Sequence, residues 1–253
     1  MLITIEGLIT KEIKIGENNK LVAILTKNQG IIYAFINNNK KTNNNLLIAS
    51  EISSYGQFVI FKYKEKYTIN EAHIINKFPN IRKDIEKLSL CCYLLQLANE
   101  LIKEEQTTEE YLRLLLNSLY LLDSNKKELD IIKAVTELKM ITIAGYMPNL
   151  LYCSRCLSGD DNKQYFFLMS GEIRCKDCNI DSKIKSISLS KGVLYAMRYI
   201  IYSDISKIYS FKLNIKDKVI LSQITEEYLL FKTDLDLSTL KYFNNIMKNN
   251  VNI

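Results

Sequence analysis

Two short cysteine pairs, Cys153-Ser154-Arg155-Cys156 and Cys175-Lys176-Asp177-Cys178, constrain this chain more than any other feature. Their spacing is C-x2-C, eighteen residues, then C-x2-C, which lies within the range of a structural zinc site. Each C-x2-C turns tightly enough to aim two thiolates at one point, and two such knuckles complete a tetrahedron. Residues 164–168 and 172–174 predict a hairpin turning at Ser170-Gly171, which would bring the second knuckle back to the first. Four thiolates close the coordination sphere and leave no position for a catalytic water. The expectation is therefore one structural zinc ion per chain. A redox function would need only one C-x2-C, at a strand-to-helix junction. The remaining pair, Cys91-Cys92, lies in an apolar helical run and is expected to pack in a core.

The rest of the chain divides by its periodicity. Residues 2–9, 21–26, 31–36, 57–63 and 67–75 are short runs rich in β-formers. Five strands in so short a segment suit a small closed barrel of the oligonucleotide-binding (OB) type, because closure removes exposed edges. Between the third and fourth runs, residues 37–45 are almost all Asn and Lys, and are expected to form a mobile loop. After Pro79 the period becomes helical. Ile85, Leu88, Cys92, Leu95 and Leu101 recur at three- and four-residue steps or their multiples. Thr107-Thr108-Glu109-Glu110 has the form of a capping box before a helix over 111–122. Further helices are expected over 127–144, 191–202, 216–231 and 238–247. The fold class is α+β. A barrel over 1–79 precedes a helical domain, 80–150 and 181–253, with the zinc module of 151–180 inserted in it.

Several functions lack support. His73 is the only histidine, and it sits in a strand context, whereas acid–base catalysis most often uses His. No G-x-x-x-x-G-K-[ST] or G-x-G-x-x-G occurs, so nucleotide hydrolysis and dinucleotide redox chemistry have no motif. The chain is not expected to be an enzyme. Its longest apolar run, 88–98, is about half of a membrane span, and the first residues lack a basic stretch. No membrane association is expected, and the cytoplasm is the expected location. The net charge of +6 is uneven. Residues 1–80 carry 10 Lys/Arg against 6 Asp/Glu, a balance of +4, and residues 171–253 carry 13 against 9, also +4. Two basic ends suit a polyanionic partner.

The order of parts resembles the bacterial RecO family of recombination mediators. The similar segments are Glu6-Gly7-Leu8-Ile9, residues 21–30, the junction from Phe78 through residues 82–95, residues 138–148, the four cysteines, and residues 187–192. The resemblance implies binding of single-stranded and duplex DNA and annealing of complementary strands. It also implies action with RecR and single-stranded-DNA-binding protein to help load RecA at the nucleoid. Lys11, Lys14, Lys27, Lys40, Lys41, Lys62 and Lys64 are the candidate phosphate contacts. Tyr33 is the candidate for base stacking, while Phe35 is expected to pack inside the barrel. The family's loop after the third strand is usually dense in Lys and Arg. Here it has only Lys40 and Lys41, and no Arg precedes Arg82, so DNA binding by the barrel is expected to be weak or strongly salt-dependent. The alternative is a zinc-stabilised adaptor that docks proteins and has little DNA affinity of its own.

Overall fold

The structure, a computed structural model, describes residues 1–16, 19–37, 44–102, 107–159, 164–179 and 185–250. Its first strands are β1 (Leu2–Ile15), β2 (Asn19–Thr26), β3 (Ile31–Asn37), β4 (Tyr55–Tyr63) and β5 (Lys66–Asn76). They close into a barrel in the order β1-β2-β3-β5-β4. The β3–β5 pair is parallel, and the other pairs are antiparallel. Ile9, Val22, Ile24, Ile32, Ala34, Ile36, Phe58, Ile60 and Ile69 fill the interior. The β-branched residues among them suit a pleated, buried surface. The helix α1 (Asn44–Ala49) adds Leu46 to this core. Helix thus begins inside the stretch expected to be loop, and Lys40 and Lys41 lie outside the described residues.

Strand β1 is longer than the expected 2–9 because a bulge lets it bend and continue. Its pairing with β2 shifts between Ile9 and Lys11, the signature of an extra residue that breaks and re-aims a strand. That residue, Thr10, donates its hydroxyl to Asn99 Oδ1 at 2.8 Å. Asn99 belongs to α2 (Ile85–Leu101), which starts where the Asp84 side chain accepts from the backbone N–H groups of Glu86 and Lys87. Cys91 is fully buried in α2, as expected, but Cys92 is only half-buried.

Helix α3 (Glu109–Asp123) is capped by Thr108 rather than Thr107, and the Thr108 side chain makes no capping bond. The expected capping box is not made. The Thr108 hydroxyl instead donates to the Thr26 carbonyl at 2.7 Å, while its N–H donates to the Lys27 carbonyl at 3.1 Å. A cap that faces a barrel strand serves tertiary attachment instead. In α7 (Ser238–Asn250), Thr239 donates to Gln96 of α2. These bonds explain why contacts gather residues 1–124 and 237–253 into one compact unit. α2 and α3 are therefore tied to the barrel and α7 to α2, although the expected helical domain held all the helices after Pro79.

Residues 125–236 form the second unit. It contains α4 (Leu129–Ile143), β6 (Gln164–Phe167), β7 (Glu172–Cys175), β8 (Ser186–Leu189), α5 (Lys191–Tyr202) and α6 (Ile215–Thr233). The predicted hairpin is present, and β8 extends it into a sheet of order β7-β6-β8. Only Leu189 of β8 is fully buried, so its four residues carry little hydrophobic signal. Tyr228 of α6 packs edge-on against Phe166, with ring centroids 5.2 Å apart. Its hydroxyl donates to the Tyr146 carbonyl at 3.0 Å. The Lys139 ammonium donates to the Ile201 and Ser203 carbonyls, at 2.9 and 3.1 Å, and so satisfies the end of α5.

Candidate metal centre and nucleic-acid interface

The first cysteine knuckle is built by its backbone. The Leu157 N–H donates to the Cys153 carbonyl at 2.9 Å, and the Cys153 N–H donates to the Ser158 carbonyl at 3.0 Å. Leu157 closes the turn at φ +59°. The Ser154 N–H donates to the Ile173 carbonyl at 2.9 Å, which ties this knuckle to β7. β7 ends at Cys175, and a single 3-10 turn, Lys176–Cys178, brings Cys178 round to the same point. The four sulfurs lie within 4.8 Å of one another, and Cys156 Sγ and Cys175 Sγ are 3.8 Å apart. Zn–S bonds of about 2.3 Å give a tetrahedron with edges of about 3.8 Å. The donor set and its spacing therefore fit a tetrahedral, thiolate-bound ion.

The electrostatics point the same way. Burial opposes ionisation of Cys153, but backbone N–H groups of Cys156, Cys175 and Arg155 outweigh it and bring the thiol down to about 6. The Cys175 N–H is 3.4 Å from the Cys153 sulfur. The Cys178 thiol is pushed up to about 12, chiefly by its contacts with the Cys175 and Cys156 side chains. One thiolate forms readily, and further ionisation beside it is opposed unless a cation neutralises the cluster.

On the barrel, strand alternation sorts the candidate DNA residues. In β3, Ile32, Ala34 and Ile36 are buried, so Tyr33 and Phe35 share the outer face. Phe35 is half-buried there, contrary to the expectation that it fills the interior. In β4, Phe58 and Ile60 point inward and Phe61 and Tyr63 outward; Tyr63 is 62% exposed. Register aligns Leu2, Phe61, Thr68 and Phe35 in one row across β1, β4, β5 and β3. Tyr63 pairs with Lys66 in the adjoining row, and Tyr33 is level with Lys66. The face thus combines Tyr33, Phe35, Phe61 and Tyr63 with Lys66 and the adjacent turn residue Lys64. Phe61, Tyr63 and Lys66 were not singled out in the sequence. The alternation of Phe58, Ile60 against Phe61, Tyr63 was the available signal.

The described candidate lysines do not form one stripe. Lys62 has the phase of inward-facing Ile60, yet it is exposed at the barrel end, with its ammonium 5.1 Å from the Tyr67 ring centroid. Lys64 is in the β4–β5 turn at φ +52°, 5.7 Å from the Tyr63 ring centroid, rather than on a strand face shared with Lys62. Lys11 and Lys14 are exposed on β1 beyond the bulge. Lys27 forms an exposed ion pair with Glu109 at 3.0 Å. His73 is exposed on β5. Among the described residues, no helix is long and apolar enough to cross a membrane.

A closed OB-type barrel joined to helices and a four-cysteine metal-type centre define the class of protein. Residues 1–78 match the family model described as Recombination protein O N terminal, and residues 82–241 match Recombination protein O C terminal. A similar relative is the DNA repair protein RecO of Acetivibrio thermocellus, 28% identical over 237 residues, covering 93% of this chain and 94% of the relative. Another is the DNA repair protein RecO of Alkaliphilus metalliredigens, 31% identical over 235 residues, covering 92% of this chain and 95% of the relative. The chain belongs to the RecO family of DNA-repair proteins, a family of mediators rather than enzymes.

Proposed function

We propose that this protein binds single-stranded DNA, and duplex DNA as well, on its barrel, and promotes strand annealing. It helps load RecA together with RecR and single-stranded-DNA-binding protein, acting at the nucleoid in the cytoplasm. One structural zinc ion is held by Cys153, Cys156, Cys175 and Cys178. The aromatic face of β3, β5 and β4, flanked by lysines, carries this proposal. Bases of any sequence stack on exposed rings, while lysines contact phosphates as point charges. Lys11, Lys14, Lys40, Lys41, Lys62 and Lys64 are proposed phosphate contacts, with Lys27 available once it leaves Glu109. Tyr33, Phe61 and Tyr63 are proposed stacking residues.

The test is a salt titration of oligo-dT binding by the intact protein. Lys62→Ala with Lys64→Ala should reduce the salt slope by roughly 1.4, at about 0.7 per single-strand phosphate contact. Phe61→Ala with Tyr63→Ala should weaken binding by about 1–3 kcal/mol per lost stack and leave the slope unchanged. Elemental analysis of protein purified without chelator should find one zinc per chain. The alternative, a protein-docking adaptor, is favoured by an apolar groove of about 370 Å³ between α2 and α7, lined by Ile85, Leu88, Cys92 and Tyr242. Undetectable DNA binding at low salt would leave only that alternative.

A further inference from the structure

A second basic feature lies in the unit of residues 125–236 and has no place in the DNA reading of the barrel. Lys126, Lys127, Lys212 and Lys218 line one cavity of about 500 Å³, with Phe211 contributing apolar wall. Among the described residues of its lining Glu128 is the only acidic one, so these side chains carry four positive charges against one negative. The volume is within the range of small-ligand sites, which run from roughly 300 to 1,000 Å³.

The first turns of two helices border the same cavity. Glu128 is the N-cap of α4, and Leu213 immediately precedes Asn214, the N-cap of α6. Helix starts present N–H groups and the positive end of the dipole. The Glu128 side chain does not cap α4. It accepts from the Lys218 ammonium instead, at 2.6 and 2.8 Å through its two oxygens. An oxyanion already sits on one lysine of the cavity, therefore, and it is supplied by an exposed side chain that can swing away.

The geometry points to a binding site for phosphate oxyanions, taken two or three at a time, in which the ligand displaces Glu128 from Lys218. Several lysines around one concavity favour a run of phosphates over a single carboxylate, since each ammonium acts as a separate point charge. That run is either a free polyphosphate group or successive phosphates of a nucleic-acid backbone.

The experiment uses the full chain at low salt with two probes, inorganic tripolyphosphate and oligo-dT. Binding is read by calorimetry, and protection of individual lysines from acetylation is read by mass spectrometry. Lys127→Ala with Lys212→Ala should weaken binding at this site by roughly tenfold, the loss of one or two charge-assisted contacts. Glu128→Gln should strengthen it, because it removes the internal competitor. Protection of these lysines by tripolyphosphate identifies a free-polyphosphate site; protection by oligo-dT alone identifies backbone phosphates. Lys191→Ala with Lys207→Ala removes the same charge elsewhere on the unit. An equal effect from that control, protection of these lysines by neither probe, or Glu128→Gln leaving binding unchanged would overturn the proposal. Loss of DNA binding on the barrel leaves each of these outcomes readable, because none uses a barrel residue.

Discussion

Gly171 shows how much a single position can depend on its surroundings. It turns the hairpin between β6 and β7 at φ +70°, where a side chain is strained. A Cβ there would lie 2.5 Å from the Tyr228 hydroxyl, the group that donates to the Tyr146 carbonyl. Gly171→Ala should cost about 1–3 kcal/mol from strain at this backbone geometry, measured by urea unfolding. Tyr228→Phe in that background should recover part of the loss by removing the clashing oxygen, and purely additive effects would show that the two residues do not interact. Gly192 makes a similar close approach, to Asp217, whose carboxylate accepts from the Ser190 hydroxyl at 2.6 Å. The clustering of the four cysteines was legible in the sequence because two C-x2-C pairs either side of a hairpin are brought together by its turn. So was the turn at Ser170-Gly171. The orientation of Phe35 and the true cap of α3 were not legible, because each depends on a neighbour distant in the chain.

Helices α4 and α6 are joined by charge as well as by packing. Lys133 is 2% exposed, with its ammonium 2.9 Å from Glu137 and 2.7 Å from Glu226. Glu137 also accepts from the Thr225 hydroxyl at 2.7 Å. Burial pulls the Lys133 pKa down, but the two carboxylates outweigh it and hold the group above its ordinary value. Lys133→Met should cost about 3–5 kcal/mol, because it leaves buried Glu137 without its cation. Lys133→Met with Glu137→Leu should cost much less, as both charges are then gone; equal losses would mean that packing rather than charge is at stake. The pH dependence has a definite sign. The folded state holds this proton more tightly than the unfolded chain, so the contribution is complete below the unfolded lysine value of about 10.4 and is lost at higher pH. Burial pushes Tyr228 to about 12, which adds loss in the same direction above about 10. Urea midpoints measured from pH 8 to 11 should therefore fall at the alkaline end, and fall less in the double variant. None of this was legible from local pattern. The i, i+4 spacing of Lys133 and Glu137 can be read from the sequence, but Glu226 is brought in only by the α4–α6 packing.

At the scale of the molecule, the change of period at Pro79 falls between the last barrel strand and α2, although helix α1 precedes it and strands β6, β7 and β8 follow it. Periodicity shows which stripe of a helix is apolar, but not which surface covers it. For that reason the attachment of α2 and α3 to the barrel, and of α7 to α2, appeared only with the bonds of Asn99, Thr108 and Thr239. The resulting partition makes a prediction about metal removal. All four cysteines belong to residues 125–236, whereas the aromatic face lies on the barrel. If the four cysteines hold the proposed zinc ion, stripping it with a strong chelator removes the bonds that close both knuckles, so the sheet they hold should open more often. Amide hydrogen exchange should accelerate across residues 164–175, while strands β2 and β3 keep their protection. If DNA is bound by the barrel, the affinity for oligo-dT should stay within about twofold after chelation, because the four cysteines and the barrel face belong to different compact units. A much larger loss of affinity, with the barrel amides still protected, would place essential DNA contacts on the metal-bearing unit instead. Cys153→Ser should reproduce the chelated state in both measurements, since three thiolates no longer close the tetrahedron.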